Sequence, residues 1–291
     1  SQVEGRLALH ANLLGHPHSL DPRGNITIDG ATITADALPA PLTDINLRAT
    51  LAEGKLELDR LTGRWGTATI EARGNLPLSL LVPDLPIAMS APARPAHFSA
   101  EVRDFRLSSL PNVPEGVDGT IALRLEADAP SGDLNALAAV ASFPELRLKL
   151  GTYEIQQAGT SSLELQDGRV KIVQLELAGP ETHLRVTGST GIQAPMASDL
   201  VLEGNANASI LNLFSKAVQV SGNTAVRLTA QGSLLEPRLA GFIDITNGQM
   251  ALAEPRMNIE SLRVRLDLAD NQMTLTRLDG VLNGGAMTGE G

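Results

Sequence analysis

Histidines and carboxylates are the side chains of this chain most able to do chemistry. His10, His16 and His18 lie close to Asp21 near the start of the sequence. A metal site needs ligands that converge on one point and are held there by further hydrogen bonds. The segment GHPH, with Pro17 between two of the histidines, instead predicts an exposed loop. We therefore predict no metal site here.

The other reactive side chains are scattered along the chain. His97 and His183 occur singly in strand-like segments, which predicts surface positions. Carboxylates that fall at turns or outward strand positions predict a solvated face, as at Glu57, Asp59, Glu164 and Glu176. The sequence contains no serine–histidine–aspartate order near a strand-to-helix elbow and no phosphate or calcium loop. We expect a protein that is not an enzyme, with no catalytic residues, metal, nucleotide or other cofactor.

The composition excludes several classes of protein. The chain has 291 residues, of which 43% are hydrophobic, too many for a disordered chain. Only 2% are aromatic and the net charge is −10, whereas a nucleic-acid interface is basic and supplies aromatic stacking platforms. The chain has no cysteine, which excludes thiol nucleophiles, thiolate metal sites and disulfides. Its apolar surfaces must therefore be aliphatic, and no nucleic-acid role is expected.

The sequence matches itself at a constant offset. Gly5 recurs at Gly119 and at Gly222, with offsets of 114 and then 103 residues. The same offsets relate two further sets, which are Gly54, Gly168 and Asn271, and Gly74, Gly188 and Gly291. Glycine and asparagine tolerate positive φ, so we interpret these as matching turn positions. This predicts three repeats, at 1–118, 119–221 and 222–291, with a proline-rich insertion near 85–95.

Within each repeat the hydrophobic period is two, as expected for β-strands. The turns EGK at 53–55 and DGR at 167–169 predict hairpins, and about eight strands are expected per repeat. Apolar residues take helical spacing at 209–218, behind a plausible Ser209 cap, and 105–113 is the counterpart one repeat earlier. A short helix or a loop packed against the sheet is expected in each.

The alternation predicts an all-β, mostly antiparallel sheet with one apolar face. Such a face is buried in a sandwich, in a closed barrel, or by folding one long sheet lengthwise. Because no linker separates the repeats, we expect one continuous elongated body. The apolar face is then either packed dry as a core or left partly open for an apolar guest, and periodicity does not decide between the two. In the open case it is an apolar groove, with a lining predicted to include Ile26, Ile28, Leu56, Leu58, Leu61, Ile121, Leu123, Leu125, Val140, Leu146, Leu148, Val170, Ile172, Leu175, Leu184, Val226, Leu228, Ile243, Ile245, Met273, Leu275 and Leu278.

The segment GSLLEPRLAGFIDITNGQM, at 232–250, carries a resemblance to a known family. Its features are Gly232, the Glu236-Pro237 pair, Gly241 and a turn at Asn247-Gly248. In the first repeat, Gly15, Gly24 and Gly30 occupy similar positions in this pattern. The corresponding segment of the second repeat lacks the counterparts of Gly24 and Gly30. This pattern resembles the AsmA-like and TamB family, and the resemblance extends over essentially the whole chain.

The resemblance implies a sheet curled into a taco-like hydrophobic groove with short helix or loop insertions. It implies a periplasmic segment of a longer, inner-membrane-anchored protein of a Gram-negative-type envelope. The expected function is bridge-like transport of phospholipid acyl chains between inner and outer membrane, in support of outer-membrane biogenesis. An outer-membrane barrel partner would bind through regions outside this segment. The alternative is a β-repeat scaffold, or a chaperone-like module for outer-membrane protein assembly, with a filled interior.

Overall fold

The three-dimensional structure is a computed structural model. It describes residues 2–16, 19–34, 40–77, 95–109, 113, 116–130, 136–151, 153–193, 196–213, 218–234, 236–252 and 257–291. Except for Pro95, the proline-rich insertion predicted near 85–95 lies outside these residues, and so does the histidine at position 18.

The chain forms one antiparallel sheet of 19 strands, as the alternation predicts. β-branched and leucine residues alternate with charged ones in these segments, which suits a pleated surface with two unlike faces. The strands are β1 (Gln2–His16), β2 (Ser19–Thr34), β3 (Leu42–Ala52), β4 (Lys55–Trp65), β5 (Ala68–Pro77), β6 (Ala96–Arg106), β7 (Val117–Ala129), β8 (Ala138–Leu150), β9 (Tyr153–Gln157), β10 (Ser161–Gln166), β11 (Arg169–Gln174), β12 (Glu176–Gly179), β13 (Thr182–Gly191), β14 (Ala197–Asn207), β15 (Val218–Ser233), β16 (Pro237–Leu252), β17 (Met257–Ala269), β18 (Gln272–Leu282) and β19 (Gly285–Gly289).

Most strands pair with the next strand along the chain. This is so from β1 to β7 and from β13 to β19. Between these runs, β9 pairs with β8 and β12, and β13 pairs with both β11 and β12. Seven of the described strands are 13 to 16 residues long. The estimate of about eight strands per repeat stays a prediction, as do the repeats themselves.

The chain divides into two compact units. Unit 1 comprises Ser1–Pro111, Thr120–Glu145 and Leu163–Gly168, and unit 2 comprises Asn112–Gly119, Leu146–Ser162 and Arg169–Gly291. The three predicted repeats, with boundaries at 118 and 221, stay a prediction.

The predicted hairpin turns are confirmed. Glu53 and Gly54 join β3 to β4 with φ of 52° and 73°, and Asp167 and Gly168 join β10 to β11 with φ of 50° and 70°. Positive φ at both central residues matches the twist of the flanking strands. The pair at 270–271, where Asn271 has φ of 65°, forms the corresponding turn between β17 and β18.

Other predicted turn positions are wrong, because these glycines lie inside strands or after the last one. At Gly188 in β13 the φ angle is 118°, and a Cβ placed there would lie 2.0 Å from the carbonyl oxygen of Asp199 on β14. Glycine is required there by close approach of two strands rather than by a turn. The positions that depart from the prediction are Gly5 in β1, Gly74 in β5, Gly119 in β7, Gly188 in β13, Gly222 in β15, and Gly291 beyond β19.

β-Bulges interrupt several strands. The register shifts beside Gly30 in β2 and Asp44 in β3, and again beside Asn247 in β16 and Ser261 in β17, all with φ between 51° and 61°. Asn247 lies 217 residues after Gly30, and Ser261 lies 217 residues after Asp44. This spacing is the sum of the two sequence offsets, 114 and 103 residues. The predicted turn at Asn247-Gly248 is therefore a bulge within β16.

Two short 3-10 helices lie at the ends of strands. Among the described residues, one spans Leu107–Ser109 and the other Ala208–Leu213, and the part of the predicted segment at 214–217 lies outside those residues. Asn207, rather than Ser209, supplies the cap, because its Oδ1 accepts a hydrogen bond from Ser209 N at 2.9 Å. Among the described residues, no helix has the length and apolar character needed to cross a bilayer.

Candidate functional site

The pairing of strands in unit 1 brings aliphatic side chains to one face. Residues directly opposite each other in an antiparallel ladder project from the same side of the sheet. One such row crosses β2 to β7 through Ile28, Leu47, Leu61, Ala72, Ala100 and Leu125. The next row crosses the same strands through Ile26, Ala49, Leu58, Gly74, Phe98 and Ala127. We call this side the aliphatic face of unit 1.

Unit 2 has an aliphatic face built in the same way. One of its rows crosses β13 to β18 through Val186, Leu202, Leu228, Gly241, Leu268 and Met273. A neighbouring row contains Leu184, Gly204, Val226, Ile243, Leu266 and Leu275. At the other side of β13, Val170 and Ile172 pair with Thr190 and Gly188 and so join the same face.

Charge is segregated completely between the two sides of the described ladders. No Asp, Glu, Lys or Arg occupies a paired position on the aliphatic face of either unit. The opposite side carries the charges, as in the pair Glu71 and Glu101 or the row Arg185, Glu203 and Arg227. Each unit therefore has one face suited to hydrocarbon and one suited to water.

The aliphatic faces are only partly covered. Of the 22 residues predicted to line a groove, Leu58 and Ile245 are buried, Val140 and Met273 are exposed, and the other eighteen are half-buried. The hydrophobic cluster of unit 1, centred on Ala49, Leu58 and Ala72, gathers neighbours from the aliphatic face itself. Leucine and isoleucine in a filled core are usually fully buried. The half-buried state fits an apolar face without a complete second layer over it.

The ladders place most of the predicted residues together within their unit. Ile121, Leu123 and Leu125 lie on the aliphatic face of unit 1, and Leu148 pairs with Ile155 on that of unit 2. Leu175 falls in the break between β11 and β12, where its carbonyl accepts a hydrogen bond from Val186 N. Residues of the faces that sequence reasoning missed, such as Leu47, Val102, Leu202 and Leu266, follow from the alternation once the register is known.

A few hydroxyl groups lie on the aliphatic face of unit 2, near the ends of strands. Ser198 is buried and donates its hydroxyl to the Gly232 carbonyl at 3.0 Å. Thr182 is buried and donates to the Pro180 carbonyl at 3.1 Å. Because these hydroxyls bond to the backbone, they add little polarity to the face.

The charged side of unit 1 holds a cross-strand ion-pair network. Glu71 and Glu101 are directly opposite each other, and like charges in that position repel. Arg103 compensates, with Nη2 at 3.6 Å from Glu71 and 2.8 Å from Glu101, while Arg60 contacts Glu71 and Arg124 contacts Glu101. The pKa of Glu101 lies below its usual 4.5, chiefly because Arg103 donates a hydrogen bond to the carboxylate; partial desolvation opposes this, and the charges of Arg103 and Arg124 add to the lowering.

This network makes a small, pH-dependent contribution to stability. Because the pKa of Glu101 is lower in the folded chain, its stabilisation is present above about pH 4.5 and is lost as the pH falls through the folded value. We expect Glu101→Gln to lower the free energy of unfolding by less than about 1 kcal/mol at pH 7, since the network is solvent-exposed. Urea denaturation at pH 7 and pH 3 measures this. An equal deficit at both pH values contradicts it, and Glu126→Gln, on the same side but outside the network, is the control.

The candidate histidines that the structure describes lie in strands. His97 lies on β6 with Nδ1 2.8 Å from Asp128 Oδ1, and His183 is exposed on β13, as expected for surface histidines. Contrary to the predicted loop, Gly15 and His16 lie in β1. The described residues contain no group of three or more His, Asp or Glu arranged to hold a metal ion.

Trp65 packs inside unit 1 at one end of its aliphatic face. Its ring centroid is 4.8 Å from that of Phe105, and its Nε1 donates to the Ala40 carbonyl at 3.1 Å. Phe105 is buried and Trp65 half-buried, so the indole ring packs against its neighbours in the sheet instead of projecting freely into solvent.

No protein-family model, curated protein or solved structure matches this chain. The resemblance to AsmA-like and TamB proteins therefore depends on its sequence motifs alone.

Proposed function

We propose that this chain binds the acyl chains of phospholipids along its aliphatic faces. The observation that carries the proposal is the charge-free face of each unit, most of whose leucines and isoleucines are half-buried rather than fully covered. Exposed apolar surface of this extent is costly in water and marks a binding surface. An aliphatic guest would remove that cost.

The lining suits a ligand that moves. Each methylene group withdrawn from water contributes roughly 0.8 kcal/mol of transfer free energy. Moving an acyl chain of about sixteen carbons from a bilayer into water therefore costs on the order of 13 kcal/mol. Aliphatic side chains offset this without fixing the ligand at one position, because they make no directional hydrogen bonds. The same face therefore supports sliding better than tight capture.

In its wider context, we propose a periplasmic segment of a bridge-like lipid transport protein, without catalytic activity of its own. The motif at 232–250 supports this through its resemblance to AsmA-like and TamB proteins. Partial burial of the faces also favours transport over a scaffold with a filled interior, since filling would bury these side chains. An outer-membrane barrel partner, as the resemblance implies, would belong to regions outside this segment.

Lipid extraction tests the proposal. The chain, purified without detergent from a bacterial periplasm, is washed, extracted with organic solvent and analysed by mass spectrometry. We expect phospholipid in at least equimolar amount, because an unoccupied aliphatic face is unfavourable in water. A chain that is folded by circular dichroism and carries no phospholipid, even after incubation with vesicles, contradicts the proposal.

A further inference from the structure

One end of the strands of unit 2 carries a group of exposed aliphatic side chains. Ile192 lies in the turn after β13, Leu234 in the turn after β15, Leu239 near the start of β16, and Met273 at the start of β18. Their exposed fractions are 39%, 40%, 36% and 61%. They are four of the seven large apolar residues that are exposed in the described part of the chain. We call them the aliphatic rim.

The rim is held in place by hydrogen bonds between neighbouring turns. Leu234 N donates to the Met196 carbonyl at 3.1 Å, which joins the turn after β15 to the one after β13. The Asn271 side chain accepts from Leu239 N at 2.6 Å, and Asn271 N donates to the Leu239 carbonyl at 3.2 Å. These bonds fix the backbone at Leu234 and Leu239, from which two of the rim side chains project.

The rim is continuous with the aliphatic face of unit 2. Leu239 pairs with Ala230 and Met273 pairs with Leu268, so two rim residues are also members of that face. The hydroxyl of Ser198, which lies nearby, is turned to a backbone carbonyl. At the other end of these strands, Glu181 lies in the turn before β13 and Asn283 in the turn after β18, and both are exposed.

From this placement we infer that the aliphatic rim is the part of unit 2 that contacts a lipid bilayer surface, where acyl chains pass between the bilayer and the aliphatic face. The inference rests on the proposed function, which supplies the apolar cargo. Charged residues beside the rim in unit 2 include the acidic Asp199, Glu236 and Asp270 and the basic Arg238 and Arg169, the last of which lies opposite Gly191 at the end of β13. A surface with that balance is not attracted to anionic lipid, so contact depends on apolar insertion and is insensitive to salt.

Vesicle flotation tests the inference with a matched pair of variants. Ile192→Ser combined with Leu234→Ser removes rim side chains that lie in turns. Val173→Ser removes an equally exposed apolar side chain (45%) from the charged side of β11. With phosphatidylcholine vesicles, the rim variant should bind about fivefold less than the wild type, and Val173→Ser should bind as the wild type does. Adding phosphatidylglycerol or salt should change neither.

Three outcomes would overturn the inference, and the proposed function is measured separately on the same samples. The inference fails if the wild type does not float, or if the rim variant floats as well as the wild type. It also fails if light scattering shows a wild-type dimer that the rim substitutions dissociate without any vesicle binding, which would make the rim an interface between copies. Phospholipid content after extraction, measured on the same samples, reports the aliphatic face and not the rim.

Discussion

Replacing Gly188 with alanine should destabilise the fold by roughly 3 kcal/mol or more. The φ angle of 118° is one that side-chain-bearing residues rarely adopt, and the new Cβ would lie 2.0 Å from the Asp199 carbonyl oxygen. The obstructing atoms belong to the backbone of β14, so relief requires β13 and β14 to separate. The pair Gly188–Leu200 would then be lost. Urea denaturation followed by circular dichroism measures the change.

Gly168 is the control for this substitution. It also has positive φ, at 70°, but nothing lies within 4 Å of where a Cβ would be. Gly168→Ala should therefore cost only the conformational penalty, about 1 kcal/mol. Equal destabilisation by the two substitutions would show that close strand approach at Gly188 is unimportant.

The predictions from sequence succeeded where the determining forces are local. A two-residue turn with positive φ at both positions depends on its own residue types, so Glu53-Gly54 and Asp167-Gly168 were identifiable from the sequence. Alternation of leucine with charged residues is likewise local, because a strand separates the two sets whatever its partner. Leu56 and Leu58 on one side of β4, with Glu57 on the other, illustrate this.

The failures occurred where a residue's role depends on another strand. A glycine with positive φ looks the same in a turn and in mid-strand, and only the Asp199 carbonyl on β14 distinguishes the two at Gly188. The position of a bulge likewise depends on the register with the neighbouring strand. Leu58 and Leu61 are three residues apart and would face opposite sides in a regular strand, yet a register shift puts both on the aliphatic face.

Coverage of the face is the least local property of all. Leu58 and Leu61 have the same chemistry and the same face, but Leu58 is buried among neighbours while Leu61 is half-buried. Val140 has the alternation of a lining residue and is 46% exposed. Such differences depend on which side chains of adjacent strands meet, which periodicity does not contain.

Replacing Ile172 with glutamate should reduce the phospholipid that the chain retains at least about tenfold, a change of about 1.4 kcal/mol in binding free energy. Ile172 lies on the aliphatic face of unit 2, opposite Gly188. A carboxylate there must either be desolvated against an acyl chain or keep water in its path, and both oppose binding. Because Ile172 is half-buried, the carboxylate still reaches solvent in the lipid-free chain, so the strands should stay folded. Leu275→Glu, also half-buried on this face, should act in the same way.

The adjacent residue makes the comparison direct. Val173 follows Ile172 in β11 but projects from the charged side, and it is 45% exposed. The decisive measurement is phospholipid per chain, by mass spectrometry after vesicle incubation and washing, for the wild type, Ile172→Glu and Val173→Glu. Lipid on the wild type and on Val173→Glu, with at least about tenfold less on a folded Ile172→Glu, is the expected result. Equal lipid on all three chains, or none on the wild type, would contradict the assignment of acyl-chain binding to the aliphatic face.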